Sequence, residues 1–206
     1  MITDTKQEIN APSKKPQAYF CVDIETGGLS TNTSLLSVYG IVVDENLKEI
    51  DSIDLKLKPD DYVFMVDASA LAVNKIDLVS HAKSAVTYST ANEKLSKFLG
   101  QYAAKYGKMA LIGQNFINFD LPFIEQYILP NISEFFKREF FDTRTIGLFL
   151  RDIGVLPASN VCSLADQLKF FFPELEFDGH HNAEWDARQT LKLYQAQQEV
   201  IKKLKG

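Results

Sequence analysis

The sequence has few cysteines and no long apolar run. Cys21 and Cys162 are its only cysteines among 206 residues, a number and spacing that indicate neither a disulfide framework nor a zinc site. No apolar stretch reaches the roughly 18 residues of a membrane-spanning helix. The first 17 residues lack the apolar centre of a signal peptide. These absences favour a reduced, cytoplasmic setting.

The sequence also lacks an excess of positive charge. It has 22 Lys and Arg against 27 Asp and Glu, a net charge of −5, which argues against a basic protein that coats nucleic acid. Any polyanion must therefore be held locally, by a small basic patch or by metal ions. The hydrophobic content of 46%, with 15 Phe and 8 Tyr, supports a sizeable core. We predict a flexible arm at residues 1–17 and a single domain at residues 18–206.

Strands and helices follow one another in a mixed order. We predict strands at residues 18–24, 35–44, 49–59, 109–114 and 139–143, with the second and third joined as an antiparallel hairpin by "DENLK". Predicted helices cover residues 84–106, 119–129, 143–154, 163–172 and 182–205. This order predicts an α/β fold, in which helices flank a mixed five-stranded sheet.

Two acidic residues interrupt the first apolar strand, "FCVDIETGGL" at residues 20–29. Side chains two apart in a strand point to the same face, so Asp23 and Glu25 would lie side by side next to the core. Their repulsion there requires a compensating positive charge. The alternative is that the strand ends at Ile24 and leaves Glu25 in a solvated turn.

Two further acids have ordinary explanations when each is taken alone. Asp120 follows the fourth strand and would cap a helix. Asp186, five residues after His181, would face solvent from the last helix. Taken together with the first pair, all four acids could converge at the strand ends. Four carboxylates can share a site only with hard cations such as Mg²⁺ or Mn²⁺, and two such ions suit phosphoryl displacement.

Three segments resemble the motifs of a known enzyme family. "DIETGGL", "NFINFDLPF" and "HNAEWDA" are similar to the three motifs of the DEDDh, or DnaQ-like, 3′–5′ exonucleases. The resemblance implies a ribonuclease H-like fold. It also implies hydrolysis of phosphodiester bonds at the 3′ ends of single-stranded or frayed DNA or RNA, with release of nucleoside monophosphates. By this resemblance, His181 would be the general base. Two Mg²⁺ or Mn²⁺ ions would be held by four acids: Asp23, Glu25, Asp120 and Asp186.

The resemblance also implies a set of substrate-binding residues near the terminal nucleotide: Thr26, Gly27, Leu29, Asn74, Asn115 and Phe119. Some positions depart from the family pattern. Gly27 replaces a Thr, Gln114 replaces a His, and Asn74 stands where many proofreading members have a His. These departures leave the preference for DNA or RNA open.

Several alternatives remain at this stage. The chain could act in DNA proofreading or repair, for which a DNA polymerase subunit would be its partner. It could instead be an exoribonuclease of the ribonuclease T or oligoribonuclease type, a non-catalytic polymerase-associated module, or an endonuclease on the same fold. The aromatic residues Phe116, Phe119 and Trp185 could stack on a frayed base or pack in the core. Asp142 is interpreted as a helix cap rather than a ligand.

Overall fold

The computed structural model describes residues 17–177, 179 and 181–204. The predicted arm at residues 1–17 lies outside this range except for its last residue. Within the described chain, six strands form one mixed sheet in the order β4-β3-β2-β1-β5-β6. The strands are β1 Tyr19–Thr26, β2 Leu35–Val43, β3 Glu49–Lys58, β4 Val86–Thr87, β5 Met109–Gly113 and β6 Phe136–Asp142.

Seven α-helices of the described residues surround this sheet. They are α1 Ala68–Asn74, α2 Leu78–Ser84, α3 Tyr88–Tyr106, α4 Asp120–Tyr127, α5 Thr143–Asp152, α6 Leu164–Phe171 and α7 Ala183–Leu204, and a 3₁₀ turn covers Ile132–Glu134. The α/β class and the mixed sheet are therefore confirmed. The two-residue strand β4 raises the strand count from the predicted five to six.

The prediction for residues 84–106 joined two elements that the structure separates. Ser84 ends α2, β4 follows, and α3 begins only at Tyr88, where the Thr87 hydroxyl accepts a hydrogen bond from the Thr90 backbone N–H at 3.3 Å. Helix α3 ends at Gly107, as predicted, with the glycine at φ +79°. The short helices α1 and α2 were not predicted, because seven residues are fewer than the window of about 11–18 in which helical periodicity is recognised.

The two faces of the sheet are covered by different helices. Phe20, Val22 and Ile24 of β1 contribute to a large core that also contains residues of α3 and α4. Cys21, which lies between Phe20 and Val22, belongs to a second cluster on the opposite face with Ala187 of α7. Because strand side chains alternate, Asp23 and Glu25 lie on the same face as Cys21 and therefore face α7.

Candidate active site

Strand β1 places Asp23 and Glu25 where the sheet is paired on one side of the strand. It pairs with β2 along its whole length, from Tyr19 to Thr26, but its parallel pairing with β5 stops at Cys21. Beyond Cys21, this edge of β1 is no longer paired with any strand of the described chain. The strand includes Glu25, so the alternative that Glu25 sits in a solvated turn is wrong.

Helix α7 places the third acid beside this pair. Small residues allow close packing of the helix on the sheet: Ala183 and Ala187 are buried, and the Cys21 thiol donates to the Ala187 carbonyl at 3.4 Å. The Asn182 side chain caps the helix by accepting from the backbone N–H of Glu184 at 3.1 Å. As a result, ligand atoms of Asp23, Glu25 and Asp186 lie within 4.8 Å of one another.

The fourth acid, Asp120, completes the cluster from the start of α4. It is buried, at 4% exposure, and lines the same cleft as the other three acids. Its carboxylate lies outside the set of ligand atoms that are mutually within 4.8 Å. Hydrogen bonds from the backbone N–H groups of Asp120 itself and of Ile24 favour its charged form. The free edge of β1 therefore helps to hold Asp120 in place.

All four carboxyl groups have a raised pKa. Burial and the charges of Asp120, Asp186 and Glu25 raise the pKa of Asp23 well above its usual range. Burial, followed by the charge of Asp186, raises the pKa of Glu25 to about 7. Burial raises the pKa of Asp186 to about 7, and burial is also the main cause of the raised pKa of Asp120. Without a cation, burial and mutual repulsion disfavour the simultaneous ionisation of these groups near pH 7.

The donor set fits a hard divalent cation. Within the described chain, Asp186 Oδ1 is buried and has no hydrogen-bond partner, while Oδ2 accepts from the His181 backbone N–H at 3.0 Å. A buried carboxylate oxygen without a donor is costly unless an ion occupies its free lone pairs. The available ligands are oxygen atoms, which Mg²⁺ and Mn²⁺ prefer. Asp23, Glu25 and Asp186 could therefore hold a metal ion, with Asp120 beside them.

A cleft of about 650 Å³ opens onto this acidic cluster. Four of the six predicted substrate-binding residues are among its lining residues: Thr26, Leu29, Asn74 and Phe119. Of the described residues, the two others, Gly27 and Asn115, do not line the cleft. Leu29 is 87% exposed at the cleft, which suits a contact with a terminal base. The predicted role of the six residues as a set stays a prediction.

The two residues outside the lining have structural partners in the loops around the cleft. The Gly27 backbone N–H donates to the Ser34 carbonyl at 2.7 Å, and a Cβ at Gly27 would overlap the Met65 carbonyl. The Asn115 backbone N–H donates to Asp142 at 3.2 Å, with Asn115 at φ +57°. Both residues thus fix the shape of loops that border the cleft.

Asn74 holds the end of β1 from the opposite wall. Its amide donates to the Thr26 carbonyl at 3.1 Å, and a further hydrogen bond from Asn74 lowers the pKa of Glu25 against the effect of burial. Its amide oxygen accepts from the Ile76 backbone N–H at 3.1 Å. Asn74 therefore orients one of the acids in addition to lining the cleft.

The candidate base, His181, lies in the cleft at the entry to α7. It has a left-handed backbone, at φ +65°, and this turn lets its N–H reach Asp186. Burial, and then the charge of Lys75, lowers the pKa of its imidazole. The ring is thus biased towards the neutral form that can accept a proton. The neighbouring His180 lies outside the described residues.

The remaining sequence candidates have packing or capping positions. The Asp142 carboxylate caps α5 by accepting from the backbone N–H groups of Arg144 at 2.8 Å and Thr145 at 3.1 Å, as interpreted from the sequence. Phe116 is buried and stacks on Phe140. Trp185 packs on Phe177 with ring centroids 5.7 Å apart, away from the cleft lining.

The sequence reasoning missed part of the cleft wall. Asp67, Ser69 and Val73 line it from α1 and the residue before that helix. Helix α1 has seven residues, fewer than the window of about 11–18 in which hydrophobic periodicity is recognised.

Comparisons with known proteins identify the fold. No protein-family model matches the sequence, and no curated protein matches it either. Solved structures of exonuclease I do match. The zinc-bound E. coli exonuclease I–ssDNA complex has a TM-score of 0.70 and 14% identity, over 87% of this chain and 40% of that chain. The same enzyme with a dT13 oligonucleotide has a TM-score of 0.70 and 16% identity, over 91% of this chain and 43% of that chain. Exonuclease I from Methylocaldum szegediense has a TM-score of 0.69 and 19% identity, over 89% of this chain and 40% of that chain.

The protein therefore has the ribonuclease H-like fold of exonuclease I, as the sequence resemblance implied. This likeness concerns the fold, since the identities are below 20%. The chain spans about two fifths of the length of these exonuclease I structures. In the part of the chain that the structure describes, no helix is long and apolar enough to cross a membrane.

Proposed function

We propose that this protein is a metal-dependent 3′–5′ exonuclease that removes nucleoside monophosphates from single-stranded or frayed nucleic acid. The observation that carries the proposal is the cluster of Asp23, Glu25 and Asp186, with Asp120 beside it, at the floor of an open cleft. A buried carboxylate oxygen without a hydrogen-bond donor in the described chain supports a metal-binding role for this cluster. The exonuclease I fold supports the same reaction class.

In this proposal the four acids hold two Mg²⁺ or Mn²⁺ ions. The ions, when bound, supply charge neutralisation at the phosphodiester and activation of the attacking water. His181 accepts the proton of that water, since its lowered pKa keeps the ring neutral near pH 7. Its backbone N–H, bonded to Asp186, fixes the distance between the base and the acidic cluster.

The cleft wall is suited to one unpaired terminal nucleotide. Leu29 and Phe119 offer apolar surfaces for a base, and the Thr26 and Asn74 side chains border the same space. No Lys or Arg is among the described residues that line this cleft. Strand binding there depends on stacking and on the metals, which is consistent with the acidic net charge.

Single-stranded DNA is the substrate that we propose first, because the E. coli exonuclease I structures are complexes with single-stranded DNA. A 5′-labelled DNA strand and an RNA strand of the same sequence should be incubated with Mg²⁺, Mn²⁺ or EDTA. We expect a ladder of products shortened from the 3′ end and no reaction in EDTA. Faster loss of the RNA would favour the exoribonuclease alternative.

Two controls separate this reaction from other nucleases. A circular single strand should remain intact, and its cleavage would refute an exonuclease. The Asp23→Asn protein should be inactive, whereas Asp152→Asn, at an exposed residue that ends α5, should keep full activity. Equal activity of both variants would exclude the acidic cluster as the active site. A polymerase subunit as partner, and hence a proofreading role, stays a prediction.

A further inference from the structure

A second cavity of about 360 Å³ adjoins the acidic cluster on the side away from the cleft. Glu25, Asn74 and His181 line both cavities, so they form the wall between them. The other lining residues come from β2, β3, the α1–α2 connection, α2 and the start of α7. We call this cavity the side pocket.

The side pocket differs from the cleft in its cations. Among the described lining residues, the cleft has no Lys or Arg, whereas the side pocket has Lys56 and Lys75. Lys75 and His181 both line the side pocket. A positively charged side chain therefore belongs to the same pocket as the candidate general base.

The acids of the side pocket already have partners of their own. The Asp77 carboxylate caps α2, accepting from the Val79 backbone N–H at 3.0 Å and from the Ser80 hydroxyl at 2.8 Å. Glu184 forms an ion pair with Arg188 at 3.0 Å. Each of these two negative charges thus has a partner on its own helix.

The other two acids are also accounted for. Glu25 belongs to the metal cluster, and Asp54 lies beside Lys56, whose charge lowers the pKa of Asp54 against the effect of burial. Within residues 17–177, 179 and 181–204, no ion pair involves Lys75. Lys56 forms no ion pair there either, but it lies beside Asp54, so the exposed Lys75 ammonium is the cation that we assign to a ligand.

The backbone of Lys75 allows a clean substitution. The residue has φ +57° and ψ +25° and ends α1 with its N–H bonded to the Leu71 carbonyl. Helices commonly place glycine at a left-handed position of this kind, because a side chain is strained there. Lys75→Gly therefore removes the ammonium group without straining the backbone.

We propose that the side pocket is a product subsite, in which Lys75 binds the 5′-phosphate of the released nucleoside monophosphate. This proposal rests on the proposed exonuclease function. In that reaction the oxygen of water joins phosphorus and one proton of the water passes to His181. The bond from phosphorus to the 3′-oxygen of the shortened strand breaks, and that oxygen takes a proton from solvent to become a hydroxyl. His181 lines both the cleft and the side pocket that contains Lys75, so the phosphate is released next to that pocket. The extra negative charge of a phosphate monoester then favours movement towards Lys75.

Binding of dTMP and of thymidine, measured by calorimetry with Mg²⁺ and with EDTA, tests the subsite without any turnover. We expect Lys75→Gly to weaken dTMP binding about tenfold, the effect of one charge-assisted hydrogen bond. Thymidine, which lacks the phosphate, should bind equally to the parent and the variant. Lys75→Arg should retain dTMP binding, and Lys83→Ala, on α2 outside the pocket lining, should match the parent.

Loss of dTMP binding in Lys75→Gly should not result from unfolding. Glycine adopts φ +57° without strain, so the variant should keep the Tm of the parent. Unchanged dTMP affinity in Lys75→Gly, or an equal loss for dTMP and thymidine, would overturn the proposal. A higher KM for single-stranded DNA with unchanged dTMP binding would also overturn it, because Lys75 would then contact the strand. An inactive parent protein that still binds dTMP through Lys75 would refute the exonuclease function but keep the phosphate site.

Discussion

Replacement of Asp186 by Asn tests the electrostatics of the acidic cluster most directly. Asp186 is 7% exposed, and its pKa is raised to about 7 in the folded chain, against about 4 in an unfolded chain. The folded state therefore binds a proton more tightly than the unfolded state does. This contribution to stability is complete below the unfolded pKa and is lost as the pH rises through about 7.

The expected size follows from the same values. Between pH 5.5 and pH 8, a group with these two pKa values lowers the free energy of unfolding by about 2 kcal/mol. For a domain of this size, that corresponds to a fall of about 4–8 °C in Tm. Glu25 adds to the effect in the same direction, because its pKa is also raised to about 7 and part of the cause is the charge of Asp186.

Thermal unfolding should be followed in EDTA and in Mn²⁺ at pH 5.5 and pH 8. In EDTA at pH 8 we expect Asp186→Asn to be more stable than the parent, because the variant removes a buried charge and relieves Glu25. Mn²⁺ should raise the Tm of the parent strongly and that of Asp186→Asn little. Asp152→Asn, the same exchange at an exposed residue, should behave like the parent in all four conditions.

Two outcomes would refute this reasoning. If the metal-free parent were equally stable at pH 5.5 and pH 8, with the same Tm difference from Asp186→Asn at both, then burial would not perturb Asp186 as described. If Mn²⁺ raised the Tm of Asp186→Asn as much as that of the parent, then Asp186 would not be a metal ligand.

Three further results are expected. His181→Ala should lower the single-turnover rate by roughly 10²–10⁴, the usual contribution of a general base, and a loss below tenfold would argue against that role. Gly147→Ala should destabilise the protein by about 1–3 kcal/mol in urea unfolding, since the new Cβ would overlap the buried amide of Gln167. Gly100→Ala lies in mid-helix, where Phe135, at 3.9 Å, is the one described residue that the new Cβ would meet. This variant should instead stabilise by about 0.5–1 kcal/mol, and destabilisation there would contradict the packing described.

The sequence alone determined the chemistry of the cluster and the order of the main elements. The alternation along β1 placed Asp23 and Glu25 on one face, and strand alternation is a local property that any register of the sheet preserves. The start of α7 was also predictable, because Asn182 caps it through hydrogen bonds to residues two and three positions away. Motif order then indicated that Asp120 and Asp186 join the pair.

Only the tertiary structure decided how close these groups lie and what surrounds them. The approach of Asp186 to β1 depends on Ala187 packing against Cys21, a contact between residues 166 positions apart that no local pattern encodes. The bond from Asn74 to Thr26 and the side pocket around Lys75 depend on α1 and α2, whose seven-residue segments are too short for a hydrophobic period to be recognised. Local rules specify which face a side chain occupies, whereas distances across the site follow from packing of the whole chain.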